Sequence, residues 1–240
     1  MRPAMRFLST SVLLVITAGF LSANPAVTPV PRPGEWWEVL HKKYAERAAA
    51  GNIDVLFLGD SITQYWEDAN PARGGKSVWD REFAPLNSAC FGIAGDRTQY
   101  VLWRLQNGEG EGYEPKAVVL LIGTNNTGNR NTPAETVEGI AAVVEEVKNR
   151  FPSTKILLLG LLPRSTKDNA QRAQVEAINK ALPKRHDGNR VVFLDIGNQF
   201  LDAEGNIPAD VMPDLIHPSL KGYEIFADAI RQPLHDLLGK

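Results

Sequence analysis

The sequence carries a single cysteine, Cys90, in 240 residues. That excludes an intramolecular disulfide and any cluster of thiolate metal ligands. It also lacks an excess of either charge: 26 Lys and Arg face 28 Asp and Glu, a net charge of −2. A chain this balanced has no basic footprint for nucleic acid and no polybasic patch for a membrane surface. Internal repeats and low-complexity stretches are missing. One long uncharged and mostly apolar run exists, Phe7–Phe20, and it is shorter than the roughly 20 residues that cross a bilayer. What remains, 43% hydrophobic and 22% charged residues, is ordinary for one compact core and argues against disorder.

The apolar run has its own reading. Arg2 and Arg6 precede it, and the small residues Ser22 and Ala23 follow it. This is the pattern of a secretory signal peptide over residues 1–23. The alternative is a permanent N-terminal anchor, which the short run disfavours. No cysteine follows for lipidation, so no stable membrane anchor is expected after cleavage. A secreted or periplasmic product suits a single unpaired cysteine. Residues 24–34 hold Pro25, Pro29, Pro31 and Pro33 and read as a stiff, extended lead-in without structure. The folded domain is then expected over 35–240.

Beyond it the chain alternates between two kinds of segment. Ile53–Leu58, Ala117–Ile122, Lys155–Leu161 and Arg190–Ile196 are nearly continuous aliphatic runs. Such runs suit strands buried on both faces of a parallel sheet. Leu86–Phe91 fits a fifth, weaker strand. Thr132-Pro133-Ala134-Glu135 is a capping box with proline at the first helical position, and Val137, Ile140, Val144 and Val147 follow at helical spacing. Asp168–Leu182 and Ser219–Leu238 are further helices, the latter interrupted by Pro233. This alternation predicts an α/β fold, a three-layer α/β/α sandwich. In such sheets ligands bind at the carboxyl ends of the strands.

Polar motifs lie at those ends. Gly59-Asp60-Ser61-Ile62-Thr63 follows the first strand, where a serine on a tight strand–helix turn can present its hydroxyl. Ser61 or Thr63 could equally do no more than cap the helix. Gly92-Ile93-Ala94-Gly95-Asp96 follows the second strand; its glycines let backbone N–H groups approach a ligand, or merely make a tight turn. In Gly123-Thr124-Asn125-Asn126 an asparagine amide can donate to developing negative charge, or fix an Asx turn. In Asp214-Leu215-Ile216-His217, an aspartate three residues before a histidine can hold one imidazole tautomer, or form a helix-cap pair. His41 and His235 fall on helical patterns as surface or packing residues, and His186 sits in a turn.

Together the motifs resemble the SGNH (GDSL) hydrolase superfamily. The resemblance tightens at Asp54–Ser61 (DVLFLGDS), Phe91–Thr98 (FGIAGDRT), Tyr100–Gly108 (YVLWRLQNG), Leu121–Asn126 (LIGTNN) and Leu158–Arg164 (LLGLLPR). These segments are similar to the catalytic subunits of type I platelet-activating-factor acetylhydrolases and their secreted bacterial relatives. The similarity runs from about Trp36 to Leu238. It implies a flavodoxin-like five-stranded parallel sheet of order 2-1-3-4-5. It also implies Ser61 as nucleophile, His217 as base and Asp214 as its orienting acid. The oxyanion donors it implies are the Ser61 and Gly95 backbone N–H groups and the Asn125 amide, with Ile62, Thr124 and Ile216 walling the acyl site. Ala94 stands where close relatives often carry another glycine. Glu67–Val78 is longer than in the animal enzymes.

The expected activity is a secreted serine esterase without cofactor or metal, acting through an acyl-enzyme on short, above all acetyl, esters of a polar alcohol such as a sugar. A phospholipid acetyl ester is the alternative substrate. The expected partner is a small ester, with no nucleic acid; a homodimer stays open. Two rivals come from other classes. One is a metallophosphoesterase using Asp60, Asn125, Asp214 and His217, which would leave Ser61 idle and the site short of ligands. The other is a non-catalytic binding module on the same fold.

Overall fold

The computed structural model describes residues 24–129 and 131–239; the signal peptide expected over residues 1–23 lies outside them. The aliphatic runs form five strands: β1 Val55–Gly59, β2 Ser88–Gly92, β3 Ala117–Leu121, β4 Lys155–Leu159 and β5 Val191–Leu194. All pair in parallel, in the order β2-β1-β3-β4-β5. Every residue of β1 and β3 is buried, as continuous apolar runs in a central parallel sheet require. The edge strand β5 leaves Val192, Phe193 and Leu194 only half-buried.

Between the strands lie α1 Glu35–Ala49, α2 Ser61–Gln64, α3 Lys76–Glu82, α4 Thr98–Arg104, α5 Thr124–Thr127, α6 Pro133–Arg150, α7 Ala170–Ala181 and α8 Leu220–Leu238. The chain steps from β1 to β2 in one direction and from β2 through β5 in the other. Right-handed crossovers therefore place α3 on one face and α4, α6 and α7 on the opposite face. The packing agrees, since α8 meets α3 and crosses β3 and β4, while α6 packs against α4 and α7. The predicted capping box at Thr132 and Glu135 is formed in both directions. The reversal between β1 and β3 opens a crevice at their carboxyl ends. An aromatic cluster lies near it: Trp66 sits 4.4 Å from Tyr223 and 5.2 Å from Phe226, centroid to centroid.

Two expectations need correction. Pro233 does not interrupt α8, which runs unbroken to Leu238. Ile230 and Leu234 are fully buried on either side of it, and that burial outweighs the hydrogen bond a proline removes, a cost of about 3 kcal/mol. The segment 24–34 is also not an extended tail. Pro25–Val27 forms a 3-10 turn and Ala26 is fully buried. The Asn24 side chain fastens it: its oxygen accepts from Ala26 N at 2.9 Å, and its amide donates to Glu135 O at 3.1 Å and Glu138 Oε2 at 2.8 Å. Thr98 Oγ1 donates to the Ala26 carbonyl at 2.8 Å. Proline reduces the freedom that docking must remove, so the composition that reads as a stiff linker also suits a strap.

Candidate active site

Ser61 leaves the carboxyl end of β1 at a tight strand–helix turn. A Cβ on Gly59 would lie 2.2 Å from the Leu121 carbonyl and 2.3 Å from Thr63 Oγ1, so glycine is required there. Asp60, rather than Ser61 or Thr63, caps the following helix, accepting from Ile62 N at 3.1 Å. Tyr223 of α8 donates its hydroxyl to the Ile62 carbonyl at 2.6 Å and clamps the turn from below. The Ser61 hydroxyl is thus not committed to capping.

It is committed to His217. Ser61 Oγ lies 2.9 Å from His217 Nε2, and His217 Nδ1 lies 2.6 Å from Asp214 Oδ2. The other carboxylate oxygen, Oδ1, accepts from the backbone N–H groups of Ile216 at 3.0 Å and His217 at 2.7 Å. Partial burial works to raise the Asp214 pKa, but the His217 backbone and ring hydrogen bonds prevail and hold the carboxyl below its ordinary value. An ionised carboxylate only accepts, so Nδ1 carries the proton and Nε2 is left to accept from Ser61. The turn is under backbone strain: Leu215 adopts φ +60, a conformation other than glycine rarely takes. Its carbonyl is held by Ser165 N at 2.9 Å.

The donor groups occupy the turns after the three adjacent strands β2, β1 and β3. The first helical residue, Ser61, has an N–H that the helix itself does not use. Gly95 adopts φ +78, and among the described residues no acceptor meets its N–H. Asn125 spends one amide hydrogen on the Asp96 carbonyl at 2.9 Å, leaving the other for a ligand. Of the three residues expected to wall the acyl site, Ile62 is a core side chain at 2% exposure and Thr124 is buried at 4%. Only Ile216 is half-exposed.

Several residues that hold this arrangement were not legible as such. Asp96 and Glu109 are fully buried and ion-pair with the fully buried Arg104, each at 2.7 Å. Trp37 Nε1 donates to Asp96 at 2.8 Å and His41 lies 2.7 Å from Glu109, so the His41 ring is a packed, hydrogen-bonded residue. Arg32, from the N-terminal strap, donates to Ala94 O at 2.6 Å beside Gly95. Fully buried Asn126 accepts from Thr98 N at 3.1 Å and ties the β3 turn to α4. Arg164 follows β4 and donates to the Thr124 carbonyl at 2.7 Å. Its signal was its place, as the first charged residue after a buried run, the position that carries the polar motifs elsewhere.

Asp60 is a further fully buried carboxyl of the site, and unlike Asp96 and Glu109 it has no ion-pair partner among the described residues. Burial pushes its carboxyl up to about 7, opposed by the Ile62 N–H, aided by Asp96 and opposed again by Arg164. A carboxyl raised in the folded state stabilises the fold fully below its unfolded value of 3.8, and that contribution is lost as pH rises toward about 7. Asp60→Asn keeps an oxygen for the Ile62 cap and removes the titration. Thermal unfolding from pH 4 to 8 is therefore expected to show the wild type losing stability relative to the variant as pH rises. A difference independent of pH would show that Asp60 stays ionised.

The metal-binding rival is not supported by this geometry. Both ring nitrogens of His217 are engaged by Ser61 and Asp214. Among the described residues no three His, Cys, Asp or Glu side chains gather to hold an ion.

A parallel α/β sheet with a Ser–His–Asp relay at its switch point defines a serine hydrolase. The chain belongs to the GDSL-like lipase/acylhydrolase family, whose sequence model matches residues 57–225, and it is an enzyme of carboxylic ester bonds. Platelet-activating factor acetylhydrolase IB subunit alpha2 of Rattus norvegicus is 36% identical over 224 residues, covering 90% of this chain and 91% of that protein. Subunit alpha1 of Homo sapiens is 35% identical over 223 residues, covering 90% and 92%. A GDSL-like lipase from Bacteroides thetaiotaomicron superposes with a TM-score of 0.66 at 20% identity, covering 82% of this chain and 97% of that one. An acetylxylan esterase from Geobacillus stearothermophilus does so with 0.59 at 18%, covering 78% and 94%. At these identities the two structures speak for the fold alone.

Proposed function

We propose that this chain is an exported serine esterase that removes short acyl groups, above all acetyl, from a polar alcohol such as a sugar. The observation that carries the reading is the relay from Ser61 through His217 to Asp214, at 2.9 and 2.6 Å. In it His217 takes the Ser61 proton as the hydroxyl attacks the ester carbonyl. The N–H groups of Ser61 and Gly95 and the Asn125 amide receive the oxyanion. His217 then protonates the leaving alcohol and activates water against the acyl-enzyme. The acetylhydrolase relatives support an acetyl ester, and platelet-activating factor, the substrate they are named for, makes a phospholipid the second reading. The signal pattern over 1–23 supports a secreted or periplasmic enzyme.

Acyl length tests the proposal. Ile216 is the accessible wall beside His217, and a β-branched side chain is stiff at χ1. An open apolar groove would gain up to about 0.8 kcal/mol per added CH₂, roughly fourfold in kcat/KM. A closed wall instead loses about 1–3 kcal/mol on overpacking. Across p-nitrophenyl esters, acetyl is expected to be turned over fastest, with a steep fall by butyryl and little activity at octanoyl. Ile216→Ala should move the optimum to longer chains. A wild-type rate that climbs from acetyl to octanoyl would instead point to a lipase-like groove.

A further inference from the structure

A cleft of about 300 Å³ opens between α1 and the segment that follows Ser61. Lys43 comes from α1; Gln64, Tyr65, Glu67, Asp68 and Arg73 come from the other side. Apart from Leu40, every side chain lining it carries a polar atom. The cleft adjoins the site at two points. Tyr65 lies four residues after Ser61, on the same helical face, and its ring centroid is 5.1 Å from that of His217. Gln64 Oε1 accepts from Ala94 N at 2.7 Å, beside Gly95.

The reaction decides what lies in this direction. His217 must reach the leaving oxygen to protonate it, so the alcohol part of the ester extends from the imidazole, and Tyr65 is the aromatic ring packed there. The far wall is built in advance. Arg73 Nε donates to Asp68 Oδ2 at 2.8 Å, and its guanidinium stands 5.1 Å from the Tyr65 ring centroid. Asp68 is itself fixed by Asn70 N at 2.8 Å. By contrast, among the described residues Glu67 and Lys43 form no ion pair and no side-chain hydrogen bond. One offers acceptors and the other donors to whatever enters.

We propose that this cleft is the leaving-group subsite and that it takes a glycosyl unit of an O-acetylated carbohydrate. Vicinal hydroxyls both donate and accept, which matches a wall of carboxylate, ammonium, amide and guanidinium groups. An acyl chain would need aliphatic walls, and the cleft offers one leucine, its other apolar surface being the rings of Tyr44 and Tyr65, flat faces that suit a sugar ring. The stretch Glu67–Val78 thereby acquires a role, since it supplies Glu67, Asp68 and Arg73. The inference rests on the esterase reading above.

The test compares wild type with Glu67→Ala, Lys43→Ala and the double variant, all at exposed positions. Substrates are a partially acetylated xylo-oligosaccharide, p-nitrophenyl acetate and an acetyl-ester phospholipid. The double variant is expected to raise KM for the oligosaccharide about tenfold or more with kcat nearly kept, lost charged hydrogen bonds being of that order. Its preference for oligosaccharide over p-nitrophenyl acetate should fall by the same factor. Wild type that hydrolyses the oligosaccharide, with KM unmoved in the variants, would overturn the subsite and leave the esterase intact. A KM effect confined to the phospholipid would give the cleft to a phosphate headgroup instead. Wild type inactive on all three esters would sink the esterase reading itself.

Discussion

Ser61→Ala is expected to lower kcat on p-nitrophenyl acetate by about 10⁴-fold or more while the protein stays folded. The substitution removes one oxygen, the one 2.9 Å from His217 Nε2. It leaves the helix cap in place, because the cap is Asp60. It also leaves the backbone N–H of position 61 and the Tyr223 clamp on Ile62. Stability should therefore change little, and unfolding curves of the two proteins should nearly superpose. A fluorophosphonate should label the wild type and not the variant. Activity within tenfold of wild type would take Ser61 out of the mechanism. A large loss accompanied by an early unfolding transition would mean that the hydroxyl serves the fold.

The same turn shows what a sequence discloses and what it hides. The strands were legible because burial on both faces leaves a local mark, a run without polar residues. The site was legible because its polar residues stand where those runs stop. Asp214 and His217 sit three apart and close their own turn through Asp214 Oδ1, so their pairing is local. The cap was misplaced because Asp60, Ser61 and Thr63 are all competent capping residues, and only the fold decides between them. Partners distant in the chain left no mark. Arg32 reaches Ala94 across 62 positions and Thr98 reaches Ala26 across 72. Proline spacing tells how stiff the segment 24–34 is, and nothing of the surface on which it lies. Five-residue spacing does not announce the buried pair of Arg104 and Glu109. Tyr65 had a usable signal, one helical turn after the serine, that helix periodicity alone could have supplied.

Asp214→Asn is expected to cost up to about 10⁴-fold in kcat without opening the turn. The variant keeps a side-chain oxygen for the Ile216 and His217 N–H groups, which Asp214 Oδ1 accepts at 3.0 and 2.7 Å. The strained Leu215 stays pinned through its carbonyl to Ser165. What changes is the group facing Nδ1. A carboxylate can only accept there, whereas an amide can present its NH₂ and draw Nδ1 into the acceptor role. The imidazole proton then moves to Nε2, and Nε2 can no longer take the proton of Ser61. The loss therefore acts through His217 and should vanish once His217 is gone. His217→Ala combined with Asp214→Asn is expected to be barely slower than His217→Ala alone, because residues that act as a unit are strongly non-additive. The comparison needs kcat for both single variants and the double on p-nitrophenyl acetate. If the two losses multiply, Asp214 has a role of its own, independent of the imidazole. If Asp214→Asn alone is near wild type, the 2.6 Å contact with Nδ1 orients a ring whose tautomer is set by something else.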